Sequence, residues 1–117
     1  PEVCGLGGIT EYLKVSALAQ SNFIPIINHV WGSALSVAVN LHLLTSMPDM
    51  PGGLFPTKSM LEFDTTAKNI FITDLTDEKF SILDQVKNNN GYVKPIENVG
   101  IGINPNKEFI KKYQINE

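Results

Sequence analysis

The chain has 117 residues and a formal net charge of −3 at pH 7, a length that fits one domain or part of one. This acidic balance argues against nucleic-acid and anionic-membrane partners, because both require clustered positive charge. All nine cationic residues are lysine, so the chain has no arginine for bidentate binding of carboxylate or phosphate.

Cysteine content and hydropathy indicate the compartment. Cys4 is alone, which excludes an internal disulfide and fits a reducing cytoplasm, and a catalytic role for its thiol is the less favoured alternative. The longest apolar helical stretch, residues 33–46, is too short and too polar to cross a bilayer. We therefore expect a soluble cytoplasmic protein with no membrane partner.

The first third of the chain predicts a strand end, a turn, a helix and a second strand. Residues 1–4 are expected to end a strand, and the glycine-rich residues 5–8 to form a tight turn. Thr10 is the predicted N-cap of a helix over residues 11–20. Leu13, Ala17 and Leu18 are expected to lie on one side of that helix. The β-branched run at residues 23–28 predicts the next strand.

The next elements continue the alternation of helix and strand. Gly32-Ser33 opens a strongly apolar helix that runs to about Ser46, followed by a long loop over residues 47–58 and a strand over residues 59–63. Continuous apolar strands separated by helices are typical of parallel βαβ units. The fold class is therefore α/β, and the exposed edges of so small a sheet favour a piece of a larger domain.

A different pattern begins near residue 70. Residues 80–83 and 92–95 flank the run of Asn and Gly at residues 88–91, which predicts a β-hairpin. Asn104 is the predicted N-cap of a short terminal helix with Pro105 at its first position. The division is therefore predicted as residues 1–69 for the βα units and residues 70–117 for an extension that contains the hairpin.

Three polar residues stand where parallel strands end: Glu2, His29 and Glu62. Chemistry in parallel α/β folds is found at the carboxyl ends of strands. We expect the Glu2 carboxylate to lie within a direct or single-water hydrogen bond of the His29 ring, with Glu62 on the same side. A carboxylate beside an imidazole makes a general base. The alternative is a capped loop histidine with two surface glutamates.

Other residues have weaker functional signals. The turn at residues 5–8 before a helix resembles a phosphate cradle, although such glycines more often only make a βα turn. Trp31 could line a pocket or pack under a loop, and Asp64 follows Glu62 on the same strand face. We predict Trp31 and Asp64 as substrate-binding residues. His42 is interpreted as structural, and no metal-ligand set is predicted in these residues.

Four segments together resemble a known family: "PEVCGLGGITEYLKVSALAQ", "IPIINHVWGSALSVAVNLHLL", "MLEFD" and "NNNGYVKPIENVGIGI". In this order they are similar to the C-terminal third of the mandelate racemase and muconate lactonizing enzyme family of the enolase superfamily. The resemblance implies the last βα units of a (β/α)7β TIM-like barrel. It also implies a divalent metal, usually Mg²⁺, that is held by ligands outside these residues.

The resemblance also implies residue roles. His29 matches the histidine of a catalytic dyad, Glu2 its acidic partner, and Glu62 a glutamate that hydrogen-bonds the substrate carboxylate. The family usually has Asp at the position of Glu2, and a proline before the Gly-Leu-Gly that aligns with residues 100–102.

The segments "HVWGSA" and "MLEFD" most resemble those of acid-sugar dehydratases, enzymes that remove the proton α to a carboxylate and eliminate water. The alternatives are a sugar-acid lactone cycloisomerase or racemase of the same family, a phosphate-binding α/β module, and a non-catalytic assembly partner. We expect a small sugar acid as substrate and a homo-oligomer that needs the rest of the barrel. Without it, Ile26, Ile27 and Met60 are expected to meet water.

Overall fold

The computed structural model describes residues 1–49, 58–65, 69–78 and 81–115. Most of the predicted loop over residues 47–58 lies outside the described residues, as does Phe80 of the predicted hairpin. The chain divides into two compact units, Pro1–Trp31 with Asn40–Asp64, and Gly32–Val39 with Thr65–Glu117. Every predicted catalytic and substrate-binding residue belongs to the first unit. The predicted division after residue 69 stays a prediction.

The first unit contains two parallel strands, β1 (Ile27–Val30) and β2 (Met60–Phe63). Helix α1 (Ile9–Ser21) precedes β1, and helix α2 (Ala34–Ser46) follows it along the chain before β2. This order confirms the predicted α/β alternation. Residues 1–4 do not form a strand, but the carbonyl of Pro1 accepts a hydrogen bond from the backbone N–H of His29 at 3.0 Å.

Helix α1 begins two residues earlier than predicted. Its N-cap is Gly8, at a φ of 108°, and no side chain caps the helix. Thr10 therefore lies in the first turn and is not the cap. A glycine takes this position because a φ in the left-handed region is strained for residues with a Cβ.

The apolar side of α1 predicted from the sequence is not its buried face. Tyr12 and Ser16 are its buried residues, whereas Leu13 and Leu18 are 47% and 67% exposed, and Ala17 is exposed as well. Residues four apart lie on one side of a helix, so Tyr12 and Ser16 point the same way. The Tyr12 hydroxyl donates a hydrogen bond to the buried Asn28 of β1, which accounts for this orientation.

Strand β1 begins four residues later than predicted and extends through His29. Phe23 has a φ of 56°, which interrupts an extended run, and Pro25 has no N–H to donate to a neighbouring strand. His29 is therefore a strand residue and not the residue that follows the strand.

Helix α2 ends at Ser46, as predicted, and most of its apolar side chains are covered. The buried ones are Ala34, Val37, Ala38, Leu41, Leu43 and Leu44. Asn40, a polar residue within this apolar helix, is only 1% exposed. A polar side chain so deeply buried needs a hydrogen-bond partner within the protein.

The hairpin predicted in the second unit is wrong. After the short helix α3 (Ile70–Thr73), Ile82–Asn88 forms helix α4, and the hydroxyl of Ser81 caps it. Asn90 and Gly91, at φ of 51° and 85°, end this helix, and the Gly91 N–H donates to the carbonyl of Val86 at 2.9 Å. Left-handed residues terminate helices as readily as they form hairpin turns, so the Asn-Gly pair was ambiguous.

The last helix, α5 (Lys107–Tyr113), has a different cap from the one predicted. Asn106 accepts a hydrogen bond from the backbone N–H of Phe109 at 2.8 Å and is the N-cap. Pro105 lies before the helix and pairs with Thr76 in an isolated antiparallel bridge.

Asn104 does not cap the helix and instead forms hydrogen bonds with Glu78. Its backbone N–H and its side-chain Nδ2 donate to the two carboxylate oxygens at 2.7 and 2.8 Å. These two hydrogen bonds hold the pKa of the Glu78 carboxyl below its usual range.

In the part of the chain that the structure describes, no helix has both the length and the apolar character that a membrane span requires.

Candidate active site

The two strands place His29 and Glu62 side by side. In the parallel register Ile27 pairs with Met60 and His29 pairs with Glu62. Side chains alternate along a strand, so these four residues share one face of the sheet. Ile27 and Met60 are 47% and 49% exposed, as expected for this face.

Ile26 departs from that expectation. It is 9% exposed and belongs to the buried residues of the unit. Side chains alternate along an extended chain, so Ile26 lies on the side of Asn28 and not on that of Ile27. Asn28 is completely buried. Ile26 is therefore part of the packed side of this unit and not of the open face.

Glu2 lies beside His29. The Nδ1 atom of His29 is 3.7 Å from Oε2 of Glu2, and both side chains are partly exposed, at 42% and 29%. This distance is within the range of an ion pair but longer than a hydrogen bond. The expected proximity is present, while the direct hydrogen bond is not formed.

The glycine-rich turn fixes the position of Glu2. The Leu6 N–H donates to the carbonyl of Glu2 at 3.0 Å, and the Gly8 N–H donates to the carbonyl of Val3 at 2.9 Å. A Cβ on Gly5 would lie 3.7 Å from Oε2 of Glu2, in ordinary contact with the carboxylate. The turn therefore holds the backbone of Glu2 by hydrogen bonds and leaves room for a Cβ at Gly5.

The hydrogen bonds of this turn also test whether residues 5–8 form a phosphate cradle. An anion at a helix N-terminus is held by backbone N–H groups that have no other partner. Here the N–H of Gly7 donates to the carbonyl of Cys4 at 3.3 Å, and those of Leu6 and Gly8 are also engaged. The turn uses these donors internally, which disfavours the phosphate-binding alternative.

Trp31 and Asp64 each follow a strand by one residue. Alternation places Trp31 on the side of His29 and Asp64 on the side of Glu62. Trp31 is 72% exposed, and Asp64 is also exposed. The structure thus leaves the Trp31 indole open to a ligand, and its predicted role in substrate binding stays a prediction.

Sequence reasoning missed a buried polar network behind β1. Asn28 joins Tyr12 of α1 and Asn40 of α2 by side-chain hydrogen bonds of 2.6 and 2.9 Å. The signal that could have found it is an asparagine within each of two otherwise apolar segments, "IPIINHV" and "ALSVAVNLHLL". A lone buried amide requires partners, but the sequence does not show which ones.

His42 lies half-buried within α2, and its interpretation as a structural residue stays a prediction. Among the described residues no three His, Cys, Asp or Glu side chains come together in a way that could hold a metal ion.

Comparison with known proteins decides the family. Residues 1–109 match the sequence profile of the enolase C-terminal domain-like family. The chain belongs to this family. The resemblance to the mandelate racemase and muconate lactonizing enzymes of the enolase superfamily is thereby confirmed, and the α/β fold is similar to the C-terminal domain of that superfamily.

Two relatives are similar over nearly all of this enolase-superfamily chain. D-galactarolactone cycloisomerase from Agrobacterium fabrum is 29% identical over 115 residues, 98% of this chain and 29% of the relative. The crystal structure of a provisionally assigned mandelate racemase from Bordetella bronchiseptica RB50, complexed with 2-oxoglutarate/phosphate, is 29% identical with a TM-score of 0.73. The match covers 95% of this chain and 26% of the Bordetella chain. The chain thus spans less than a third of either relative.

Proposed function

We propose that these residues supply the general base of an enolase-superfamily enzyme that removes the proton α to the carboxylate of a sugar acid. The observation that carries the proposal is the arrangement of His29 beside Glu2, in register with Glu62, on an open face of a parallel sheet. Relatives that are enolase-superfamily enzymes support the same step at the level of the family.

His29 is the proposed base. Its Nδ1 atom faces Glu2, so a proton on Nδ1 is stabilised by the carboxylate and leaves the lone pair on Nε2. Nε2 takes the α-proton of the substrate, and the electron pair of the broken C–H bond passes into the substrate carboxylate. The imidazolium that forms is stabilised by the negative charge of Glu2. General bases of this kind contribute about 10²–10⁴-fold to the rate.

Glu62 is proposed to bind the substrate carboxylate. Two carboxyl groups form a hydrogen bond only when one proton lies between them, so Glu62 and the substrate carboxyl would share one proton. This bond strengthens as charge accumulates on the substrate carboxylate. Trp31 and Asp64, just beyond the two strands, are proposed to contact the remainder of the sugar acid.

Dehydration of an acid sugar is the first candidate for the overall reaction. After loss of the α-proton, the electron pair expels the β-hydroxyl, and the proton held by His29 can pass to the leaving oxygen, which departs as water. Atoms and charge balance without a further reactant. The sequence around His29 and Glu62 favours this reaction.

Cycloisomerisation of a sugar-acid lactone is the second candidate. It is favoured by the similarity to D-galactarolactone cycloisomerase. The first step is the same, since a proton leaves the carbon α to a carboxylate. The two candidates differ in composition, because an isomer keeps all atoms of the substrate while dehydration removes one water.

The metal implied by the family does not fit the described residues. They bring no three candidate ligands together, so we propose that Mg²⁺ ligands come from elsewhere in a longer protein. The chain spans 26–29% of its relatives, and the open face of β1 and β2 also supports completion of a barrel by other strands. We propose that the active species is a cytoplasmic enzyme in which these residues form the last βα units of the barrel.

Solvent isotope exchange tests the proposal. The complete protein that contains these residues is incubated in ²H₂O with a panel of sugar acids and sugar-acid lactones, with Mg²⁺ present. We expect deuterium at the α-carbon or a product, and mass spectrometry assigns dehydration when the product is lighter by one water. His29→Ala should abolish both signals, and His42→Gln is the matched control. Exchange that persists in His29→Ala would contradict the proposed base.

A further inference from the structure

A buried chain of three polar side chains lies behind β1, on the face opposite His29. The Oδ1 atom of Asn28 accepts a hydrogen bond from the Tyr12 hydroxyl at 2.6 Å, and its Nδ2 atom donates to Oδ1 of Asn40 at 2.9 Å. Tyr12 and Asn28 are completely buried, and Asn40 is 1% exposed. One strand residue is thus bonded both to the helix before the strand and to the helix after it.

The directionality of these bonds distinguishes them from ordinary packing. Apolar side chains could fill the same space without the desolvation of two amides and a hydroxyl. A hydrogen bond, however, restricts both distance and angle, whereas an apolar contact restricts neither closely. Because the bonds of Asn28 run to two different helices, a shift of β1 toward one helix lengthens the bond to the other.

The position of His29 is sensitive to such a shift. It is the residue next to Asn28 in a strand of four, and its Nδ1 atom is 3.7 Å from the Glu2 carboxylate, just beyond hydrogen-bond distance. A displacement of β1 by a fraction of an ångström decides whether the pair closes. Misplacement of a catalytic group by about 1 Å can lower a rate by about 10²-fold.

We propose that Tyr12, Asn28 and Asn40 are positioning residues for His29. The three side chains hold β1 at the depth where the imidazole meets Glu2 on one side and the substrate on the other. This inference rests on the proposed role of His29 as the base. All three side chains are buried, whereas the open face is exposed, so the route from them to His29 runs through β1.

A matched pair of variants on α1 gives the first test, in the complete enzyme. Tyr12→Phe removes the hydroxyl that binds Asn28, and Ser16→Ala removes a buried hydroxyl one turn later that has no hydrogen-bond partner. We expect Tyr12→Phe to lower kcat on the order of tenfold with little change in KM. Ser16→Ala should leave kcat unchanged. Equal kcat values in the two variants would overturn the inference.

A double-mutant cycle gives the second test and does not depend on stability alone. Replacing both amides, Asn28→Leu with Asn40→Leu, removes both bonds from β1 to the helices and leaves the Tyr12 hydroxyl with Sδ of Met47, at 3.2 Å, as its remaining partner. If the network acts through the pairing of His29 with Glu2, its loss should lower kcat on the order of tenfold in the native background but only about twofold beside Glu2→Gln. Additive effects would overturn the inference.

The thermal midpoint of each variant separates positioning from folding. A Tyr12→Phe enzyme with an unchanged Tm and a lowered kcat supports positioning, whereas a lowered Tm with a native kcat overturns it. His29→Ala, measured in parallel, keeps the two proposals distinct. If His29→Ala retains turnover, the proposed base is wrong. If it loses turnover while Tyr12→Phe and the double leucine variant keep theirs, only the positioning role is wrong.

Discussion

His29 and Glu62 occupy paired positions on two parallel strands, so their side chains leave the sheet on the same face. The imidazole also has the Glu2 carboxylate at 3.7 Å, whereas Glu62 stands on the neighbouring strand. One carboxylate is therefore placed to orient the proposed base, while the other is the proposed ligand of the substrate carboxylate. This separation allows the roles of the two glutamates to be tested independently.

Glu2→Gln is expected to lower kcat less than His29→Ala does. A glutamine keeps a hydrogen-bonding side chain of the same length beside Nδ1, but it no longer stabilises the imidazolium by its charge. Steady-state kinetics of the complete enzyme would show a reduced kcat with a KM close to that of the native protein. Glu2→Asp is the control for length, since it restores the charge on a shorter side chain. If Glu2→Gln were as inactive as His29→Ala, Glu2 would have a larger part than orientation.

Glu62→Leu is expected to weaken substrate binding as well as turnover. The variant removes the only polar group of the side chain that we propose to bind the substrate carboxylate, so KM should rise and kcat should fall. Glu62→Gln, which can still donate a hydrogen bond, should retain more of the affinity. A KM in Glu62→Leu that equals the native value would show that the substrate carboxylate is bound elsewhere.

Gly102→Ala is expected to destabilise the second unit, with Gly100→Ala as the matched control. Both glycines have left-handed φ values, 88° and 72°. A Cβ on Gly102 would approach the carbonyl oxygen of Ile96 to 2.5 Å, whereas a Cβ on Gly100 meets nothing within 4 Å. We expect about 1–2 kcal/mol from the backbone conformation in either variant, and about 1–3 kcal/mol more in Gly102→Ala from the overlap. Urea unfolding measures the difference, and equal losses would contradict the prediction.

Local patterns predicted the elements better than they predicted the partners. The apolar run that ends at Ser46 was recognisable because burial of many side chains dominates any local ambiguity. The strand at residues 60–63 was recognisable although none of its residues is buried. The run at residues 88–91 misled because Asn and Gly in the left-handed region end helix α4 here and could equally form a hairpin turn.

The network behind His29 could not be predicted for a different reason. Asn28 is 16 residues from Tyr12 and 12 residues from Asn40 along the chain, and the three belong to three elements. No periodicity links them. Strand parity predicted that His29 shares a face with Ile27 and Glu62 with Met60, but it did not predict the register that pairs His29 with Glu62.

Acid is expected to weaken the link between Glu78 and Asn104. The two hydrogen bonds from Asn104 lower the pKa of Glu78. The ionised carboxylate is therefore more stable in the folded protein than in the unfolded chain. This contribution to stability is present above the unfolded pKa and is lost as the pH falls through the lower, folded pKa. The difference in Tm between the native protein and Glu78→Gln should therefore be larger at pH 7 than at pH 3. A difference that does not depend on pH would contradict the prediction.

Residues 1–117, produced as a separate polypeptide, are expected to self-associate through the open face of β1 and β2. Ile27 and Met60 are about half exposed there, and Trp31 is 72% exposed beside them. Leaving such side chains in water forgoes about 1.5–3 kcal/mol each, which is large beside the roughly 5–15 kcal/mol that stabilise a domain. Association of two copies would cover this face.

Sedimentation velocity at dilute concentration measures the association of that polypeptide. We expect species heavier than 12.9 kDa for the native sequence and a shift toward the monomer for Ile27→Thr combined with Met60→Thr. Leu18→Thr is the matched control, because Leu18 is 67% exposed on α1 and does not belong to the strand face. A cooperative monomer of 12.9 kDa, or an equal response to the control, would show that the face is stable in water and that other strands are not needed to cover it.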